Sequence, residues 1–287
     1  MLLRITASRH SAFYSPLLSC VEFLRRKGHD VVYGVLSPGQ KSYVLLGKGE
    51  VDVMQSAVSS NWRLMDRGIE PLPVHFAQIN RRDGFFLVGR EPDAAFDFRK
   101  LEGATLLADH GLQPLVMLKY AVRHNGADWS RIRVVDAGTP EEMAAAWSAG
   151  TGDYVQLQGP LVTGVGAGEI VTSVGATVPP VAFSSLCCAR RFQETDAYRV
   201  FLKAYWQGRE WVRTASAEAV AEAEAPFFPQ VPAAALADAI GRYQTLGCWD
   251  GGIEIPRDLY EQALNVFESE GELGTRHAYD AVVKGSL

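Results

Sequence analysis

A strand–turn–helix unit occurs twice in this chain, about a hundred residues apart, and that duplication limits the folds open to it. Residues 2–7 (Leu-Leu-Arg-Ile-Thr-Ala) predict a strand, Ser8-Arg9-His10-Ser11 a polar turn, and a helix opens near Phe13 and ends at Gly28. Gly103-Ala-Thr-Leu-Leu-Ala108 repeats the strand, Asp109-His110-Gly111-Leu112-Gln113 repeats the turn, and Gln113 to Asn125 repeats the helix. Each unit sets a helix N-terminus, with its unpaired backbone N–H groups, beyond a strand's carboxyl end. Two such units facing each other across a cleft form a ligand clamp.

The segments between and after these units extend the pattern. Helix one carries Leu17, Leu18, Val21, Phe23 and Leu24 on its inward stripe. Asp30–Leu36, Val51–Met54, Val74–Ile79 and Gly84–Gly89 read as strands, the last continuously apolar and therefore buried. Gln55 to Asn61 is a small-polar turn opening a further helix. Arg131–Val135 is a strand, and Thr139-Pro140-Glu141-Glu142 starts a helix, with proline in the first turn beside two acids. Glu169–Val174 and Val181–Ala189 are strand-like, and everything after Phe192 reads as helix. Strands alternating with helices indicate an α/β protein whose sheets are mainly parallel. Phe85–Arg90 and Ser184–Arg190 are the expected crossings between lobes. Lobe one is therefore expected to comprise 1–88 and 190–287, and lobe two 89–189.

Composition narrows the function classes. A net charge of −5 gives no reason to expect a nucleic-acid partner, which usually needs a basic face. No stretch approaches the roughly 18 apolar residues of a membrane span. Met1 leads straight into the first strand. The expected location is therefore periplasmic if a leader was removed, and cytoplasmic if Met1 is the native start. Cys20, Cys187, Cys188 and Cys248 have no metal or redox spacing and read as buried free thiols. No metal site and no cofactor is expected. Gly164-Val-Gly-Ala-Gly168 does not lie between a strand and a helix as a dinucleotide site requires, so it reads as a mobile loop.

Several stretches in order carry a family resemblance: Ser11-Ala-Phe-Tyr-Ser-Pro16, Gly49-Glu-Val-Asp-Val-Met54, Leu101-Glu-Gly-Ala-Thr105, Ala149-Gly-Thr-Gly-Asp153 with Pro160, and Phe192 to Ala204. Through them the chain resembles the type II periplasmic-binding-protein superfamily. Within it, the likeness is to the branch of sulfonate, nitrate and thiamine-pyrimidine binding proteins. The resemblance implies a two-lobed fold, with two mixed, mainly parallel sheets, flanking helices and a ligand cleft between the lobes. It implies ligand contacts from His10, Ser11, Phe13, Tyr14, Ser56, Ser59 and Asn61 in lobe one. From lobe two it implies Asp109, His110, Gln113, Gln156 and Gln158. Pyrimidine synthases of this branch carry a cysteine-rich run where this chain has Leu186-Cys-Cys-Ala-Arg190 with no nearby histidine, so the likeness to the synthases fails there.

The expected function is a solute-binding protein that closes around a small polar organic molecule and delivers it to an ABC importer permease. The aromatics, neutral hydroxyls and amides of the candidate turns suit an aromatic acid or a pyrimidine-like heterocycle. Loss of Tyr14 or His110 is expected to weaken its binding. Arg90 and Arg190, at the ends of the crossing strands, are possible anion contacts, with surface ion pairs as the competing reading. Asp52 and Asp153 read as caps of local backbone, and the Ala/Glu run 215–225 as a solvated helix. The alternative is a cytosolic enzyme on the same fold, a decarboxylase, dehydratase or synthase-like protein, using His10 and His110 as an acid–base pair.

Overall fold

Leu3, Ile5 and Ala7 alternate into the interior from the first strand, while Val31 and Val53 do the same from its two neighbours. This period-two burial lays the chain into a sheet. The structure is a computed structural model that describes residues 1–37, 39–164, 166 and 168–285. Among the described residues, ten strands form two sheets. Sheet A contains β1 (Leu2–Ala7), β2 (Asp30–Val35), β3 (Val53–Ser56), β4 (Val74–Asn80) and β10 (Ser184–Cys188), in the order β2-β1-β3-β10-β4. Sheet B contains β5 (Phe85–Gly89), β6 (Thr105–Leu107), β7 (Arg133–Val135), β8 (Tyr154–Gln158) and β9 (Glu169–Ser173), in the order β7-β6-β8-β5-β9. The two layouts match: three parallel strands, then one antiparallel strand, then an edge strand. Positions 165 and 167 of the expected mobile loop lie outside the described residues.

Sheet membership moves the lobe boundaries. β5 belongs wholly to sheet B and β10 wholly to sheet A, so neither is a crossing strand. The chain changes lobes at 81–84 and again at 177–183, and we draw the boundaries there in place of 88 and 190. The two passages touch each other. Val181 N donates to Arg81 O at 3.0 Å, and just before the second passage Gly175 O accepts from the Arg82 guanidinium at 3.0 Å.

Helices flank both sheets. They are α1 (Ser15–Arg26), α2 (Ser42–Lys48), α3 (Val58–Asp66), α4 (Leu112–His124), α5 (Pro140–Ser148) and α6 (Leu161–Gly164), then α7 (Asp196–Thr214), α8 (Ala217–Glu224), α9 (Ala233–Thr245), α10 (Arg257–Ser269) and α11 (Tyr279–Val282). Helix α5 opens on a complete capping box: Glu142 N donates to Thr139 Oγ1 at 3.2 Å and Thr139 N to Glu142 Oε2 at 2.7 Å. Helix α7 packs along α1. Helices α9 and α10 also reach lobe two, against α6 and α4. The C-terminal helices thus strap the lobes together.

The expectation of a solvated α8 needs correction. Glu224 is fully buried and accepts hydrogen bonds from Ser15 Oγ at 2.8 Å and Ser19 Oγ at 3.2 Å. Trp62 is core, donating from its indole to Tyr260 Oη at 2.8 Å. All four cysteines are buried and free. Among the described residues, no helix is long and apolar enough to cross a membrane.

Candidate functional site

The carboxyl ends of β1, β3, β6 and β8 meet where the lobes face each other, and the turns beyond them touch directly. Ser59 Oγ, in the first turn of α3, donates to Gln113 Oε1 of α4 at 2.8 Å. Ser11 Oγ donates to Gly159 O, just past β8, at 2.8 Å. Arg9 forms an ion pair with Asp109 across the cleft. Between these contacts lies a cavity of about 140 Å³. Its walls include Arg9, Tyr14, Gln55, Ser56, Ser59 and Ser60 from lobe one and Phe85, Gln113, Pro114 and Gln158 from lobe two, with Phe183 and Ser184 beside them. Arg9 is the one charged residue on this wall among the described residues.

The turns are held by the same wiring in both lobes, at a constant offset of 101 positions. Asp52 Oδ2 accepts Arg4 N at 2.8 Å, and Asp153 Oδ2 accepts Thr105 N at 2.7 Å. Gln55 Oε1 accepts Ser8 N at 3.0 Å, and Gln156 Oε1 accepts Asp109 N at 3.0 Å. Asp52 and Asp153 therefore tie neighbouring strands, and Gln156 supports a turn without lining the cavity. The offset also corrects the expected equivalence of the two histidines: His110 corresponds to Arg9, not to His10.

The remaining candidates divide. Tyr14, Ser56, Ser59, Gln113 and Gln158 line the cavity. Gln158 is nearly fully buried, and its Oε1 has no hydrogen-bond partner among the described residues. Burial pushes the Tyr14 hydroxyl above its ordinary pKa, so it stays a neutral donor. Ser11 is an interlobe contact and caps the short 3₁₀ turn at 12–14, accepting from Phe13 N at 3.1 Å. Phe13 is core, packed against Phe183 and Tyr243. Asn61 faces away from the cavity, donating to Pro73 O at 2.8 Å, with its Oδ1 3.3 Å from His75 Nε2.

Both histidines lie outside the cavity. His10 turns to the lobe-one surface of α8 and the segment after it, with Nδ1 3.2 Å from Tyr33 Oη, Nε2 2.8 Å from Phe227 O, and its ring stacked on Phe228. Burial lowers its pKa, with the Phe227 carbonyl opposing. His110 Nδ1 lies 2.9 Å from Ala108 O and 3.9 Å from Asp136 Oδ1, within lobe two. The two rings do not form an acid–base pair.

Arg90 and Arg190 are also remote, and strand direction is the reason. β5 runs antiparallel to β8, and β10 antiparallel to β3, so both start at the cleft and lead away from it. Arg90 ends on the far side of lobe two, donating to the carbonyls of Trp147, Thr151 and Gly152. Arg190 lines a separate hollow on the back of lobe one. The residues at the starts of these strands, Phe85 and Ser184, face the cavity instead. Sequence reasoning misses them, and misses Arg9 and Gln55 as well. The 101-residue offset is the available signal for Gln55, whose partner position Gln156 is among the candidates.

With this geometry in view, the chain has the two-lobed fold of the type II periplasmic-binding proteins, and solved structures of ABC-importer binding components share it. A ligand-binding component of an ABC-type import system from Staphylococcus aureus, with zinc bound, matches at a TM-score of 0.78 and 12% identity, over 100% of this chain and 97% of that one. The periplasmic aliphatic sulphonate-binding protein of Escherichia coli matches at 0.71 and 15% identity, over 99% and 92%. The periplasmic nitrate-binding protein of Synechocystis PCC 6803 matches at 0.66 and 12% identity, over 98% and 83%. In sequence, the chain is 25% identical to the "Putative binding protein YtlA" of Bacillus subtilis (strain 168), over 99% of this chain and 88% of that protein. No family model matches.

Proposed function

We propose that this protein is the solute-binding component of an ABC importer and that it closes around one small polar organic molecule in the interlobe cavity. The observation that carries this reading is the interlobe cavity itself, walled by Tyr14, Ser56 and Ser59 of lobe one and by Gln113 and Gln158 of lobe two.

Size and lining support a single-ring molecule. A cavity of about 140 Å³ compares with the roughly 150 Å³ that suffices for benzene. Tyr14, Phe85 and Phe183 offer ring surface, while Ser56, Ser59 and Gln158 offer hydrogen bonds. An aromatic acid or a pyrimidine-like heterocycle fits both requirements. Catalysis by His10 and His110 draws no support, because both nitrogens of His10 are engaged within lobe one.

The test is a thermal-shift screen of single-ring heterocycles and acids, followed by small-angle scattering with the hits. A bound molecule raises the melting temperature by mass action, and closure shrinks the radius of gyration. Hits that leave the shape unchanged would argue against a closing clamp.

A further inference from the structure

The Arg9–Asp109 pair bears on the charge of the molecule bound in the cleft. We infer that the cleft selects molecules carrying one negative charge, with Arg9 as the anchor of the anion and Asp109 as the partner that Arg9 exchanges for it. This selectivity rests on the protein being a solute-binding component that uses the interlobe cavity.

The two members of the pair are not equally dependent on each other. Asp109 has ties inside its own lobe: its Oδ1 accepts Gly111 N at 2.7 Å, at the start of α4, and its own N–H is held by Gln156. Among the described residues, the Arg9 guanidinium hydrogen-bonds to Asp109 alone, and otherwise lies 5.8 Å from the Phe85 ring centre. Separating the pair thus leaves Asp109 supported and Arg9 a bare cation on the cavity wall. A poorly solvated cation without a partner is unfavourable, so an anion entering the cavity has a ready place.

The surroundings of Arg9 favour the same charge. Ser56, Ser59 and Ser60 bring hydroxyls to the wall. Ala57 stands at the N-cap of α3 with no side chain to accept from that helix's first N–H groups. The first turn of α3 therefore sets a positive dipole end beside Arg9. The nearby glutamine acceptors are already used, Gln55 Oε1 by Ser8 and Gln113 Oε1 by Ser59. With one cation on the wall, a second negative charge has no partner. The fitting molecule is a single-ring monoanion.

Matched acid and neutral probes test this by titration calorimetry: 4-hydroxybenzoate with 4-hydroxybenzamide, nicotinate with nicotinamide, and orotate with uracil. At least one acid is expected to bind more tightly than its neutral counterpart. Arg9→Gln is expected to weaken that acid at least tenfold and to leave any neutral binder within threefold. Asp109→Asn, which frees Arg9, is expected to tighten the acid severalfold. Arg9→Lys keeps the charge and retains part of the acid binding. Circular dichroism checks folding, and Asp109→Asn carries the test if the Arg9 variants do not fold. Neutral probes binding better than acids, or an acid indifferent to Arg9→Gln, overturns the charge selectivity and leaves the clamp standing. Binding of no probe also overturns it, and the clamp is then judged separately, by the scattering of whatever hits the thermal-shift screen yields.

Discussion

Glu224, the last residue of α8, accepts hydrogen bonds from two serine hydroxyls of α1, and burial pushes its pKa from the ordinary 4.5 up to about 8. The folded chain therefore holds a proton that the unfolded chain releases. Its contribution to stability is complete below about pH 4.5 and is lost as the pH rises toward 8. Asp83, buried in the first interlobe passage, is likewise pushed up to about 8 and acts in the same direction. Glu224→Gln keeps a neutral hydrogen-bonding group, so its melting temperature should exceed that of the parent at pH 8.5 and fall less steeply between pH 5 and 8.5. The difference at pH 8.5 is on the order of a few kcal/mol, and thermal denaturation across that range measures it. On the cavity wall, Tyr14→Ala should weaken binding of a screened ligand by about 1–2 kcal/mol, the scale of a lost ring and hydroxyl contact. His110→Ala should leave binding unchanged, and calorimetry distinguishes the two. The histidines illustrate a limit of reading single residues: His10 and His110 look paired by type, but the wiring of the turns aligns His110 with Arg9. Tyr14, Ser59, Gln113 and Gln158 are legible because they sit in turns whose place is fixed by the strands before them.

At the level of elements, periodicity and end signals make most of the helices and strands legible. The Thr139 capping box is one such signal, with both of its hydrogen bonds formed. Thr139→Ala should lower stability by about 1 kcal/mol, since it leaves the Glu142 N–H without its cap, and urea denaturation followed by circular dichroism checks this. Direction is not legible. Nothing within Phe85–Gly89 or Ser184–Cys188 says which end meets the cleft, because that depends on the lobe from which the chain arrives. Sequence reasoning puts Arg90 and Arg190 at the wrong end of their strands for that reason. The polar end of α8 misleads for a related one: an Ala/Glu run resembles a solvated face until two serines of another helix are brought against it.

Across the whole molecule, Gly159 is a point where the lobes meet closely. Its N–H donates to Tyr243 Oη at 2.6 Å and its carbonyl accepts from Ser11, while a Cβ there would stand 2.6 Å from the Ala239 Cβ. Gly159→Ala should therefore overpack this contact by about 1–3 kcal/mol, enlarge the radius of gyration in scattering and weaken the response to ligand. The strand order has another consequence, for the way the chain is made. β10 lies between β3 and β4, so sheet A lacks one of its inner strands until residues 184–188 have been synthesised. Sheet B uses one unbroken run, from β5 through β9. On the ribosome, lobe two is thus the first that can be complete, although lobe one emerges before it. Until then, β3 and β4 present unpaired edges, the kind of surface that invites misassociation during folding. The lobe that begins the chain is the last to close.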